Sequence, residues 1–144
     1  MRRTTSGFTI IELLVVISII GILTTVGIVS FARVQSFARD SQRSAKVTVI
    51  SEALEKYYSQ NGEYPTCATL MQSINIVVTT TLKDMDRNAL TTPSAASGTN
   101  SIICTDPSTD VFGYIGGGAQ YTLKYHSEET GAVVAVSSRH APAK

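Results

Sequence analysis

Tryptophan is absent from this 144-residue chain, histidine and cysteine occur twice each, and proline four times. Charge is scarce too: Asp, Glu, Lys and Arg make up 16% of residues, against about 25% in a typical soluble protein. These shortages exclude several functions. His126 and His140 are isolated in sequence, and with only Cys67 and Cys104 beside them they compose no zinc motif. No Ser/His/Asp spacing, HExxH or P-loop is present, and "GYIGGG" is not a GxGxxG after a strand with an acid downstream. No catalytic residue, no metal and no cofactor is therefore expected. A formal net charge of +1 gives no bulk-charge basis for a nucleic-acid or anionic-lipid partner. Arg139, His140 and Lys144 read as a mildly basic, solvated tail.

What the chain does have is one long apolar run near its start. From Phe8 to Ala32 the only charged residue is Glu12, inside "GFTIIELLVV" (Gly7 to Val16). As a helix, Phe8 to Val29 spans roughly 33 Å, enough to cross a hydrocarbon core of about 30 Å. Arg2 and Arg3 precede the run and few charges follow it closely. The positive-inside rule puts Met1 in the cytoplasm and the C-terminal part outside. A cleaved signal peptide would want a small-x-small site after the run, and "TTVGIVSFA" is a poor one. A plain signal anchor would leave Glu12 unexplained, since a charge at mid-bilayer costs roughly 2.5–3.5 kcal/mol on insertion scales.

Gly7, Phe8, Glu12 as the fifth residue after Gly7, and the unbroken apolar helix behind them resemble the class III leader of type IV prepilins and pseudopilins. The likeness is close over residues 1 to 65, where "LEKYYSQNGEYP" also resembles the helix end of pilins, and weak beyond. The resemblance implies cleavage between Gly7 and Phe8 by a membrane-embedded prepilin peptidase, which also N-methylates Phe8. It implies that the helix later leaves the bilayer and packs into a helical filament of identical subunits, with an assembly platform and minor pilins as further partners. There Glu12 pairs with the terminal amine of a neighbouring subunit. A cation against a buried carboxylate recovers much of its desolvation cost, and the amine at Phe8 exists only after cleavage. Many members carry proline where this chain has Val29; Gly21, Gly27 and the Thr24–Thr25 pair are the candidates for loosening the helix there.

Helical periodicity continues past the span. Val47, Ile50, Leu54 and Tyr57 make one face, Asp40 and Arg43 an i,i+3 pair, and Glu52 and Lys56 an i,i+4 pair. Asn61-Gly62 before Pro65 is a stop signal. "ATLMQSI" and "LKDMDRNAL" suggest short helices, and "TTPSAASGTNS" a surface loop. Ala119, Tyr121, Leu123 and Tyr125 alternate with polar residues as a half-buried strand; "SEETG" is a turn and "AVVAVSS" a returning strand, with "SIIC" or "FGYI" as a third. The three glycines before the strand read as a flexible turn. Tyr57, Tyr58 and Tyr64 lie where helix meets loop. Outside the cell Cys67 and Cys104 favour a disulfide over two free thiols. Its closure stabilises by about 4 kcal/mol in a chain-entropy treatment. Asp106 and Asp110 in "TDPSTD" are a weak Ca²⁺ candidate, as found in some major pseudopilins, without EF-type spacing.

The expected organisation is a leader (1–7), a hydrophobic transmembrane and assembly helix (8–32), its amphipathic continuation (33–60), and an extracytoplasmic head (61–144). The fold is α+β and pilin-like, with the second half of the helix packed on a small antiparallel sheet. The expected function is that of a non-enzymatic filament subunit: a surface pilin for adhesion or twitching, with a type II secretion pseudopilin or a competence pilin for DNA uptake as alternatives. A membrane-tethered binding protein that keeps its leader is the alternative from another class.

Overall fold

The computed structural model describes residues 7–140. Arg2 and Arg3 of the expected leader and Lys144 of the basic tail lie outside the described residues. The chain divides into two compact units, Met1–Gln35 and Ser36–Lys144.

Both units share helix α1, Ile10–Asn61, of 52 residues. In the first unit every described side chain is exposed, including the apolar series Ile10, Leu14, Ile17, Ile20, Leu23 and Phe31. This segment is long and apolar enough to cross a membrane. Its few polar side chains are satisfied within the helix. The hydroxyls of Ser18, Thr24 and Thr25 donate to the carbonyls of Leu14, Ile20 and Ile22 at 2.7–2.8 Å, the arrangement that removes their cost in hydrocarbon. The helix runs unbroken through Gly21, Thr24–Thr25, Gly27 and Val29.

In the second unit, Val47, Ile50 and Leu54 are buried on the face that their spacing predicts, with Tyr57 half-buried below them. The helix stops where Gly62 takes a left-handed φ of 77° and its N–H donates 2.8 Å to the Tyr58 carbonyl. Lys56 departs from expectation: its Nζ pairs with Asp84 at 2.9 Å rather than with Glu52 along the helix. The longer reach gives a contact that fastens a loop, whereas an exposed i,i+4 pair adds only a few tenths of a kcal/mol.

Short elements follow: α2 (Cys67–Leu70), α3 (Ile74–Ile76), a π-helical turn (Val77–Thr81) and a 3₁₀ turn (Arg87–Leu90). Only the end of "LKDMDRNAL" is helical, because Asp86 caps there, its carboxylate accepting from Asn88 N at 2.9 Å. The expected surface loop is surface only in its middle. Thr91, Thr92 and Ser101 at its ends are buried, and Thr92 bonds to Ser101 Oγ and the Asp110 carbonyl. The disulfide Cys67–Cys104 closes around this region, with Cα atoms 5.8 Å apart.

The sheet has four strands in sequential order: β1 (Ile102–Ile103), β2 (Phe112–Gly117), β3 (Gln120–His126) and β4 (Val133–Ser137). It is antiparallel across β2, β3 and β4, but β1 joins β2 in parallel, so the sheet is mixed rather than purely antiparallel. "SIIC" and "FGYI" therefore both supply strands. Tyr114 pairs opposite Leu123, and both are buried in the core with Ile50 and Leu54. The glycine run is more than a flexible turn. A Cβ on Gly116 would collide with the Tyr114 phenol lying across it, and Gly118 makes the turn with a φ of 64°.

Arg43 is the surprise of the core. Read as half of an exposed helical pair, it is fully buried. Its guanidinium donates to Asp40 Oδ1 (2.8 Å), Ser94 Oγ (2.9 Å), the Thr109 carbonyl (3.0 Å) and the Glu128 carboxylate. Arg39 Nε adds a 2.9 Å bond to Glu128. Asp40 in turn accepts from Ser127 Oγ and from the backbone N–H groups of Glu128 and Glu129 at 2.8–3.0 Å. Burial alone would raise the Asp40 pKa. Those backbone donors, then Ser127 and Arg43, outweigh it and hold the carboxyl at about 2. Glu128 is likewise lowered, first by Arg39 and then by Arg43 against burial.

Arg43→Ala strands Asp40 and Glu128 beside a vacated site and is expected to cost about 3 kcal/mol, read as a shift in the denaturation midpoint of the full chain in detergent. Acid has a matching effect. Carboxyls whose folded pKa lies below their unfolded value stabilise the fold above that value and lose the contribution as pH falls through the folded one. Stability is expected to hold down to about pH 4 and to drop between there and about pH 2. Asp40→Asn should flatten that drop; an unchanged acid profile in this variant would remove Asp40 from the account.

Candidate functional site

The N-terminal segment of the first unit places Gly7, Phe8 and Glu12 together. Residues 7–9 are non-helical and α1 begins at Ile10, two residues later than the expected start at Phe8. Thr9 explains the difference. Its backbone N–H donates 2.8 Å to Glu12 Oε2, its hydroxyl donates 2.6 Å to the same oxygen, and the Glu12 N–H returns 3.3 Å to Thr9 Oγ1. This is a capping box, T-x-x-E, which satisfies orphan donors at a helix start. The signal was present in "TIIE" but masked by the more conspicuous span.

Two consequences follow for chemistry. The capping box keeps the Gly7–Phe8 peptide outside the helix, where its carbonyl and N–H are not committed to intrahelical bonds. Phe8 is 80% exposed, and a Cβ on Gly7 would meet nothing within 4 Å. Both Thr9 contacts also converge on Oε2 of Glu12. Oε1 has no hydrogen-bond donor among the described residues. The carboxylate sits beside a shallow apolar groove of about 350 Å³ lined by Phe8, Ile11, Val15 and Val16.

The other predicted residues lie in the head. Cys67 at the start of α2 and Cys104 just after β1 are bonded to each other. Asp106 is held by Lys124 Nζ at 2.8 Å. Among the described residues no group of three His, Cys, Asp or Glu side chains converges on a metal-sized site. The cation against Asp106 is a lysine of the chain itself. His140, read as part of a solvated tail, instead joins a cluster with Glu55: its Nδ1 lies 2.9 Å from Glu55 Oε2, which also accepts from Tyr64 Oη at 2.9 Å. Burial opposes ionisation of Glu55, but the Arg139 N–H, Tyr64 and His140 lower its pKa nonetheless. The His140 ring stacks on Tyr58, and Tyr58 on Tyr64, at 4.8 and 4.5 Å.

Residues 2–28 match the family profile described as the prokaryotic N-terminal methylation motif. The match takes in Gly7, Phe8, Glu12 and the first part of the apolar helix, the segment that resembles a class III prepilin leader. No curated protein and no solved structure matches the chain.

Thr9→Ala removes the hydroxyl cap and is expected to weaken the helix start by about 1 kcal/mol. Amide exchange at Ile10 to Leu13 in micelles should speed up several-fold while exchange around Ile50 stays unchanged.

Proposed function

We propose that this chain, which begins as a class III prepilin does, is the structural subunit of a surface type IV pilus serving adhesion or twitching motility. The observation that carries the reading is the coincidence of a Gly7–Phe8 peptide outside the helix, a capping-box Glu12 with one oxygen unengaged among the described residues, and an apolar helix exposed through the first unit. The precursor sits in the cytoplasmic membrane with Met1 inside and the head outside. Prepilin peptidase cuts before Phe8 and methylates the new amine. Cleavage takes away Arg2 and Arg3 and leaves 10 basic against 11 acidic groups.

Assembly then follows from physics that the monomer leaves incomplete. In lipid the apolar side chains of the first unit are matched by acyl tails; outside it only copies of the same helix can cover them. Glu12 tolerates the bilayer face with Thr9 as its partner, and the cationic amine of a neighbouring Phe8 supplies the counter-charge that a carboxylate needs in a dry filament core. Adding a subunit that still carries its leader offers no such cation at that point. The Lys124–Asp106 pair and the Cys67–Cys104 bond support a pilus over a Ca²⁺-dependent secretion pseudopilus. The chain acts structurally, not as an enzyme.

Glu12→Ala is expected to leave cleavage at Phe8 largely intact and to cut the yield of sheared filaments at least tenfold. Intact-mass spectra of sheared and cell-bound fractions read both at once. Abundant sheared protein lacking residues 1–7, with one added methyl, supports the surface pilus. Processed protein confined to cells points to a pseudopilus, and wild-type filament yield from the Glu12→Ala variant removes the pairing role.

A further inference from the structure

The head presents a polar recess of about 380 Å³ between α3, the 3₁₀ turn and the exposed part of the Thr91–Ser101 loop. Ser73, Asn75, Arg87, Asn88 and Ser97 line it, with Ile74 at its base. Ile74 belongs to the buried core, so the base is fixed to the rest of the head. The walls are fixed as well. The Asn88 backbone is held by Asp86 and Lys46, and Asn100 ties the far end of the loop to the Leu70 and Gln72 carbonyls at 2.6 and 2.7 Å.

The cation facing the recess differs from the ion-paired cations of the head. Arg39, Arg43, Lys56 and Lys124 are all neutralised by carboxylates. Arg87 forms no ion pair among the described residues, and no acidic side chain lines its recess. The amides of Asn75 and Asn88 and the hydroxyls of Ser73 and Ser97 likewise have no side-chain hydrogen-bond partner among the described residues. The neighbouring recess makes the contrast: there Lys56 and Lys83 face Asp84, Asp86 and Glu52, and carboxylates outnumber the cations.

We propose that this recess binds a carboxylated saccharide, with Arg87 taking the carboxylate and Asn75, Asn88, Ser73 and Ser97 taking the sugar hydroxyls. One guanidinium matches one carboxylate in a two-point geometry. A phosphate dianion would call for more positive charge than the site holds. Asparagine amides both donate and accept, as adjacent sugar hydroxyls do. The volume accommodates one or two sugar units. With no aromatic platform in the lining, a single site binds weakly, in the millimolar range, and repetition along a fibre would supply avidity. The inference rests on the head lying outside the cell, as in the pilus reading, but not on polymerisation.

The test uses the full chain in detergent micelles, so its outcome is separate from filament yield. Binding is read by ligand-detected NMR with methyl glucuronide, its uncharged counterpart methyl glucoside, and inorganic phosphate. The expected result is saturable binding of the glucuronide and at least tenfold weaker binding of the glucoside. Arg87→Gln and Asn75→Asp should each weaken glucuronide binding about tenfold or more, while Lys83→Gln leaves it unchanged. Asn75→Asp alters an exposed side chain by one charge, and so covers the case in which Arg87→Gln disturbs the fold. Failure of the glucuronide to bind, equal binding of the glucoside, or equal loss in Lys83→Gln overturns the proposal. Phosphate binding as tight as the glucuronide would make the recess a general anion patch and overturn it too.

Discussion

A guanidinium without access to water has to find its counter-charges and acceptors inside the protein, and Arg43 finds two carboxylates and two neutral oxygens. Asp40 lies one turn back on α1, Thr109 and Ser94 lie on the loops around β1, and Glu128 lies on the turn between β3 and β4. Apart from the Asp40 pair within α1, these contacts form only when the loops and the turn reach the helix. The long helix and the sheet hairpin are each plausible alone, but the charge cluster is complete only when the loops close over it. Replacing such a cluster with apolar side chains can be as stable or more so, so its contribution here is geometric: it admits one register of α1 against the β3–β4 turn.

That cluster was also the least legible part of the fold. The helix, its Asn61–Gly62 stop and the β3–β4 hairpin could be read because each rests on local periodicity or local turn chemistry. Arg43 could not. Its pairing with Asp40 at i+3 was visible, yet the burial that gives the pair its weight comes from residues 51 to 85 positions away. Lys56 misled for the same reason, its i+4 acid losing to Asp84 across a loop. Parallel pairing of β1 with β2 is likewise a long-range fact that a two-residue strand does not announce.

At the N-terminus the relation is reversed. The spacing of Gly7, Phe8 and Glu12 ahead of the apolar run stands out in the sequence, while the role of Glu12 as a cap is local chemistry that the run hides. The two roles are compatible, because the carboxylate has two oxygens and the cap uses one. Under the proposed function the carboxylate passes from a bilayer to a filament, and an intrachain partner serves it in the first state. Thr9 is such a partner, and both of its bonds fall on one oxygen.

The disulfide has a further consequence when the molecule is loaded mechanically. A subunit held in a fibre by its helix and pulled through its head transmits force along the covalent backbone, and the Cys67–Cys104 bond short-circuits the path. The 37-residue separation it bridges would extend to roughly 120 Å if drawn out. With the bond closed, that slack is removed from the load path. A pull on the chain either side of the two cysteines then cannot draw the loop between them out, and the extension the head can undergo is confined to the segments outside it.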